Sequence, residues 1–383
     1  MQDLIQKAKS VLEGNNLGDY TSVSNISDKN RRAFASSISA MGWAHIDINR
    51  ALDELISLLD YQADNGMIPH LCLVDDNCDH FYPGQNIWNN ENHSYFTQAP
   101  VWTIALEYCL ERGADKKKIL GLLDKVEQSH IFFYQERDPL DISLVAISHP
   151  WESEYEDSPS WDPSLNRVPT TVKNSSCPDD KKYKRYTYLV ESFIDNDFVA
   201  IDFSVYDPHI STLLVLSELA LDRMSTQLGF QTEAKKRAGL LTESLKKNWD
   251  VEKNQASFRD ALLDMEYFVP TLGSLSPLLL QKFETDVQDR GVQRLIDSFR
   301  TEYGYSSLER SSDQYCADIP SRGAISLTGH WYYSTLFPND IKKQVETLVR
   351  KSGFKSFYHS ENGTSLIEEE SSLAASLFLV LMN

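Results

Sequence analysis

The chain has 383 residues, 41% of them hydrophobic and 11% aromatic, and a net charge of −19. That is enough apolar material for a sizeable core, which excludes a disordered chain. So acidic a surface argues against nucleic acid or an anionic membrane as partner, and an anionic substrate would need local basic groups.

The opening residues MQDLIQKAKSVLEG read as a short amphipathic helix without the apolar stretch of a signal peptide. No later apolar run approaches a membrane span, and the one at 378–382 suits the packing of a last helix. Apolar residues at i, i+3, i+4 and i+7 predict helices over 29–41, 49–59, 101–112 and 116–134. Between them, Asp75, Asp76 and Asp79 spell DDxxD, a form that holds magnesium and diphosphate when it lies on a helix face. Here it falls between Pro69 and Pro83, in a loop, and a solvated acidic turn is the expected reading, with no metal. Residues 144–147 and 199–203 are the candidate strands. The longest polar stretch, 162–184, reads as a surface excursion or lid, and its Lys181, Lys182 and Lys184, with Arg185, as a solvated basic cluster. Helical patterns resume at 210–228, 231–248, 276–288, 291–303, 330–336, 338–352 and 371–382.

About a dozen helices paired across Pro-, Gly- and Asp-rich loops suit an all-α (α/α)6 toroid, a closed ring of six hairpins with short β segments in its loops. A solenoid of stacked hairpins is the rival, but no signature repeats at a fixed period. The expectation is a single domain over 1–383. The five cysteines are irregularly spaced with no Cys-x-x-Cys pair, so a reducing cytoplasm is the expected location and zinc ligation is unsupported.

Chemistry concentrates in His149-Pro150-Trp151-Glu152-Ser153-Glu154-Tyr155-Glu156-Asp157-Ser158-Pro159-Ser160-Trp161-Asp162. Carboxyl groups beside indole faces are what a sugar-cleaving site uses: an apolar wall keeps one acid protonated, and the rings offer a flat surface to a pyranose. An acidic surface loop anchored by two tryptophans is the alternative. No nucleophile elbow, phosphate-binding glycine loop or zinc-protease motif is present, and no cofactor is expected.

The same stretch resembles the acid-bearing loop of glycoside hydrolase family 63. The resemblance is strongest to its bacterial mannosylglycerate and glucosylglycerate hydrolases, whose pattern reads HPWESG, one residue, DNSP, one residue, WD. It continues in Gly66-Met67-Ile68-Pro69-His70, Tyr82-Pro83-Gly84, Thr97-Gln98-Ala99-Pro100-Val101, Glu136-Arg137-Asp138-Pro139, Tyr183-Lys184-Arg185-Tyr186, Asp207-Pro208, Trp249-Asp250 and Arg322-Gly323, in order along most of the chain. It implies the toroidal fold and a funnel for a small glycoside. The acid position falls on Glu156, with Asp157 where the family has Asn, and Glu154 is the third candidate. The resemblance implies a binding role for Trp151, Trp161, Glu152, Tyr82, Gln98 and Arg322; His330, which stands where the family has Asn, is a further candidate to face the funnel, with a hydrogen-bonded core histidine as the commoner alternative. The matching base position falls on Ser356. An early Trp-Asp falls on Phe34-Ala35, the RGP-x-W segment reads Arg322-Gly323-Ala324-Ile325-Ser326, and a final FSW reads Ser371-Ser372-Leu373.

Three functions follow. The first is a glycoside hydrolase-like enzyme acting on a small glycoside with an altered catalytic pair. The second is a biosynthetic enzyme using a lone carboxylic acid for elimination, isomerisation or cyclisation. The third is a non-catalytic protein that binds a ligand in the inherited cavity.

Overall fold

The computed structural model describes residues 1–24, 30–73, 85–88, 92–173 and 177–383, with the side chains of Gln85 and Asn86 left out. Asp75, Asp76, Asp79, Tyr82 and Cys78 lie outside the described residues.

The described chain is mostly helical. In order, its helices are α1 (Gln2–Gly14), α2 (Ala33–Trp43), α3 (Ile48–Leu59), α4 (Gln85–Trp88), α5 (Trp102–Glu111), α6 (Lys116–Leu120), α7 (Leu123–Glu136) and α8 (Asp162–Leu165). They continue with α9 (Lys181–Asp195), α10 (Pro208–Leu228), α11 (Ala234–Lys247), α12 (Leu272–Leu275), α13 (Thr285–Arg294), α14 (Leu327–Tyr333), α15 (Pro338–Ser352) and α16 (Ser372–Met382). None of the described helices is long and apolar enough to cross a membrane.

Two kinds of helix are visible in burial. Every residue of α2 is buried, as are most of α16 and of α10. By contrast α3, α11 and α15 bury one stripe and turn charged residues outward. Helix α2 packs against α3, α5 and α16, and α10 against α5, α7, α11 and α12. The last helix, α16, returns to α1 and α2 and also meets α14. A side chain at Gly42 would come within 2.4 Å of the Ser376 Oγ, so glycine is what lets α2 and α16 approach so closely. Caps begin many of these helices: Asp47 accepts from Asn49 N–H and Arg50 N–H, Asp207 from His209 N–H, and Ser371 from Ala374 N–H.

A small antiparallel sheet crosses between helices, in the order β3 (Ala146–Ile147), β4 (Val205–Tyr206), β7 (Phe258–Asp260), β8 (Met265–Tyr267). Two further pairs are β1 (Arg31–Arg32) with β2 (Leu71–Cys72), and β5 (Trp249–Asp250) with β6 (Gln255–Ala256). These strands of two or three residues are too short to show alternation in sequence.

Several boundaries differ from the sequence reading. The pattern at 116–134 breaks at Gly121 into α6 and α7. The one at 276–288 is a 3-10 turn, Ser276–Leu280, closed by Gln281 at φ +51° before α13 starts. The pattern at 291–303 continues α13 through a π turn, Leu295–Phe299. Residues 199–203 form no strand, and Val199 and Ile201 are exposed. The polar excursion at 162–184 is helical at both ends. Its basic cluster opens α9, where Asp180 caps the Tyr183 N–H and Tyr186, Leu189, Val190 and Phe193 form a buried stripe.

Candidate active site

The acidic loop starts where β3 ends. His149 Nδ1 accepts from the Trp151 N–H at 3.0 Å and Pro150 opens a 3-10 turn, Pro150–Glu152. Glu152 then ties the loop down from behind. Its Oε1 accepts from the Thr97 N–H at 3.0 Å and from Arg137 Nη2 at 2.9 Å, and its Oε2 from the Ser148 N–H at 2.6 Å. Further along, aromatic donors hold the backbone. Trp161 Nε1 donates to Tyr155 O at 2.8 Å, Tyr186 Oη to Glu156 O at 2.7 Å, and Tyr267 Oη to Ser160 O at 2.8 Å.

So restrained, the loop forms one wall of a cavity of about 430 Å³. Glu154, Tyr155, Glu156 and Asp157 all line it. Gln98 and Arg32 stand on the wall nearest the start of α2, with Phe34 and Ala35. The remaining lining is small, hydroxylated or apolar: Ser307, Pro320, Ser321, Ala324, Ser326, Thr328, Ser356, Phe357 and Leu373 among others. Segments far apart in sequence, from Arg32 to Leu373, are thereby brought around one hollow.

The three candidate acids have different surroundings. Asp157 forms an ion pair with Lys182. Burial and the repulsion of Arg322 bring the Lys182 ammonium down to about 8, against the opposing pull of Glu156. Glu156 is exposed at the mouth. Glu154 is partly buried, and its Oε1 accepts from Gln98 Nε2 at 2.7 Å. Burial pushes the Glu154 carboxyl well above the usual range, the charge of Glu156 adds to that, and Arg32 opposes it. Glu154 also has φ +26°, a left-handed backbone that side-chain-bearing residues avoid, at the position where the resembled pattern carries glycine.

Of the residues singled out in sequence, the structure brings Glu154, Glu156, Asp157 and Gln98 to the cavity. Five others are not among its lining, and each of their side chains is engaged elsewhere. Glu152 faces Arg137 behind the loop. Trp151 is packed among His149, His70 and Tyr186, with ring centroids at 4.2, 6.0 and 5.7 Å. Trp161 is buried edge-on to Phe258 and Phe203. Arg322 Nη2 is bound to both carboxylate oxygens of Asp162 at 2.9 Å. His330 is buried against the carbonyls of Ser326 and Tyr303. Tyr82 lies outside the described residues. Arg32, Tyr155 and Thr328 carry no motif, and only the fold reveals them as lining. Among the described residues no cluster of His, Cys, Asp and Glu is placed to hold a metal ion.

Residues 32–366 match the family model described as the mannosylglycerate hydrolase MGH1-like glycoside hydrolase domain. The chain is similar to the mannosylglycerate hydrolase of Thermus thermophilus, 32% identical over 209 residues, which is 49% of this chain and 50% of that protein. It is similar to that of Rubrobacter radiotolerans, 29% identical over 291 residues, 66% and 65% of the two chains. The aligned part thus spans about half to two thirds of these curated relatives. The crystal structure of a Thermus thermophilus family 63 mannosylglycerate hydrolase, in complex with Tris and D-glycerate, superposes with a TM-score of 0.91 at 25% identity. That match covers 99% of this chain and 100% of the other. With a family model spanning most of its length and a whole-chain structural match, the protein belongs to the mannosylglycerate hydrolase-like glycoside hydrolases.

Proposed function

We propose that the protein cleaves a small glycoside, of the mannosylglycerate or glucosylglycerate kind, in the cavity under the 154–157 loop. The observation that carries this reading is the presence of Glu154, Glu156 and Asp157 on one wall of a cavity of about 430 Å³, a volume suited to a small polar ligand. Glycosidic cleavage needs a carboxylic acid to protonate the departing oxygen, and the loop offers three carboxyl groups. Arg32 gives the same cavity a guanidinium for an acidic aglycone.

The helix neighbours support an (α/α)6 toroid in a single domain. Helices α2, α5, α10 and α12 touch in succession, and α14 touches α16, which returns to α2. The Tyr333 hydroxyl, donating to Leu272 O at 2.7 Å, joins α14 to α12 and completes the ring. Outside it, α3 backs α2, α11 backs α10, α15 backs α14, and α1 backs α16. The 162–184 segment borders the mouth rather than forming a separate unit, because Lys182, in the first turn of α9, reaches Asp157.

The test is release of free hexose and glycerate from mannosylglycerate and glucosylglycerate. The wild-type protein releases them, and the triple variant Glu154→Gln, Glu156→Gln, Asp157→Asn does not. No release by the wild type, or equal release by both, removes the reading.

One observation favours a second reading. Ser356, where the resemblance puts the water-activating glutamate, lines the cavity, and a hydroxyl does not take a proton from water at neutral pH without a base behind it. An acid acting alone suits elimination, isomerisation or cyclisation. An unsaturated or anhydro product, lighter than the hydrolysis products by one water, identifies that chemistry by mass spectrometry.

A further inference from the structure

We propose that Glu154, two residues before the position matched to the family's acid, is the residue that delivers the proton in this cavity. The inference rests on the glycoside-cleaving reading above and assigns its first step to a named side chain.

The backbone is the first argument. Glu154 holds φ +26°, and such strain persists only where the surroundings impose it, commonly at active sites. Here the surroundings do impose it. The Glu152 carboxylate is pinned to Arg137, the Tyr155 carbonyl to Trp161 and the Glu156 carbonyl to Tyr186. A residue without a side chain would relieve the strain, and this chain has placed a carboxyl there instead, in the cavity lining.

The second argument is the hydrogen bond. The Oε1 of Gln98 accepts from the Phe34 N–H at 2.9 Å. That bond fixes the amide orientation and leaves Nε2 as the donor that meets Glu154 Oε1 at 2.7 Å. With Oε1 engaged as an acceptor, Oε2 is the atom left to carry a proton. Gln98 is therefore a positioning residue, tying the acid to the first turn of α2.

The third argument is the contrast between partners. Glu152 meets a guanidinium and Asp157 an ammonium. Among the described residues the direct hydrogen-bond partner of Glu154 is a neutral amide. Burial and the nearby charge of Glu156 both raise the Glu154 carboxyl well above its usual range, against the opposing pull of Arg32.

The step balances simply. Glu154 Oε2 gives its proton to the glycosidic oxygen as the bond from that oxygen to the anomeric carbon breaks, both electrons staying with the oxygen. The alcohol leaves. Water adds through its oxygen to the anomeric carbon and releases a proton, and the Glu154 carboxylate regains a proton from solvent through the open mouth.

The test compares two glycosides of the same sugar, one with an alkyl alcohol as leaving group and one with 2,4-dinitrophenol, which departs without protonation. Glu154→Gln lowers kcat/KM on the alkyl glycoside by about a hundredfold to ten-thousandfold, and on the dinitrophenyl glycoside by about tenfold or less. The alkaline limb of the wild-type profile, where activity falls as Glu154 loses its proton, disappears. In Glu156→Gln, loss of the neighbouring charge lowers the Glu154 pKa and moves that limb to lower pH. Infrared difference spectra at pH 7 supply a readout independent of turnover, a protonated-carboxyl band that is weaker in Glu154→Gln than in the wild type, the buried Asp207, pushed up to about 7, contributing to both.

Equal losses on both glycosides, or no loss on either, overturn the assignment while leaving the glycosidase reading intact. Failure of the wild type on every glycoside removes that reading, and with it the proton-donor role. An infrared band equally strong in wild type and Glu154→Gln overturns the assignment in either case.

Discussion

Two glutamates two residues apart occupy opposite sides of one loop. Behind the loop, Glu152 is buried in a nest of two backbone amides and the Arg137 guanidinium. In front, Glu154 lines the cavity, hydrogen-bonded to the neutral amide of Gln98 and near the opposed charges of Glu156 and Arg32. The same functional group is a structural anchor on one side and, on the other, a cavity-lining carboxyl that burial raises well above its usual range. What differs is the supply of positive charge and donors, not the residue type. The cavity repeats the contrast on a larger scale, with carboxyl groups from the 154–157 loop and, in the rest of its lining, Arg32, Gln98, serines, a threonine and apolar groups.

Breaking the rear side gives the largest expected effect. Arg137→Met leaves the Glu152 charge buried without its ionic partner, at a cost of about 3–5 kcal/mol, measurable as a drop in denaturant midpoint with an unchanged slope. A loss below about 1 kcal/mol shows that the two amides suffice and the contrast between the faces is shallow. The opposite wall comes next. Ser356→Glu adds a carboxylate across from the loop, where a general base gains about a hundredfold in rate when well placed. Hexose release measures it, and an unchanged rate shows that this wall does not hold the attacking water. The smallest effect sharpens the front side. Glu154→Gly removes the left-handed strain and raises stability by about 1 kcal/mol, the relief exceeding the entropic cost of glycine, while turnover of the alkyl glycoside is lost. A lower melting temperature in that variant shows that the Gln98 bond outweighs the strain.

Much of the fold was legible because long helices advertise themselves. The patterns at 49–59, 101–112, 210–228, 338–352 and 371–382 correspond to α3, α5, α10, α15 and α16 within a few residues. Helix α9 was equally readable from its cap and stripe, yet its basic opening disguised it as a loop. The short strands left no periodicity to read. In the site, the acidic loop stood out by composition and by resemblance. Its tryptophans are engaged in the structure, Trp151 in packing against His149 and Trp161 in holding the loop.

What the sequence determined by itself was the helical class, the family and the loop that carries the carboxyl groups. Those follow from local periodicity and from contiguous motifs, both of which survive in one dimension. Which of the carboxyl groups faces a guanidinium, which an ammonium and which a cavity was decided only by tertiary structure. Arg137, Lys182 and Gln98 come from three separate helices or loops, and a carboxyl's affinity for its proton is set by such neighbours within a few ångströms, whatever their distance along the chain.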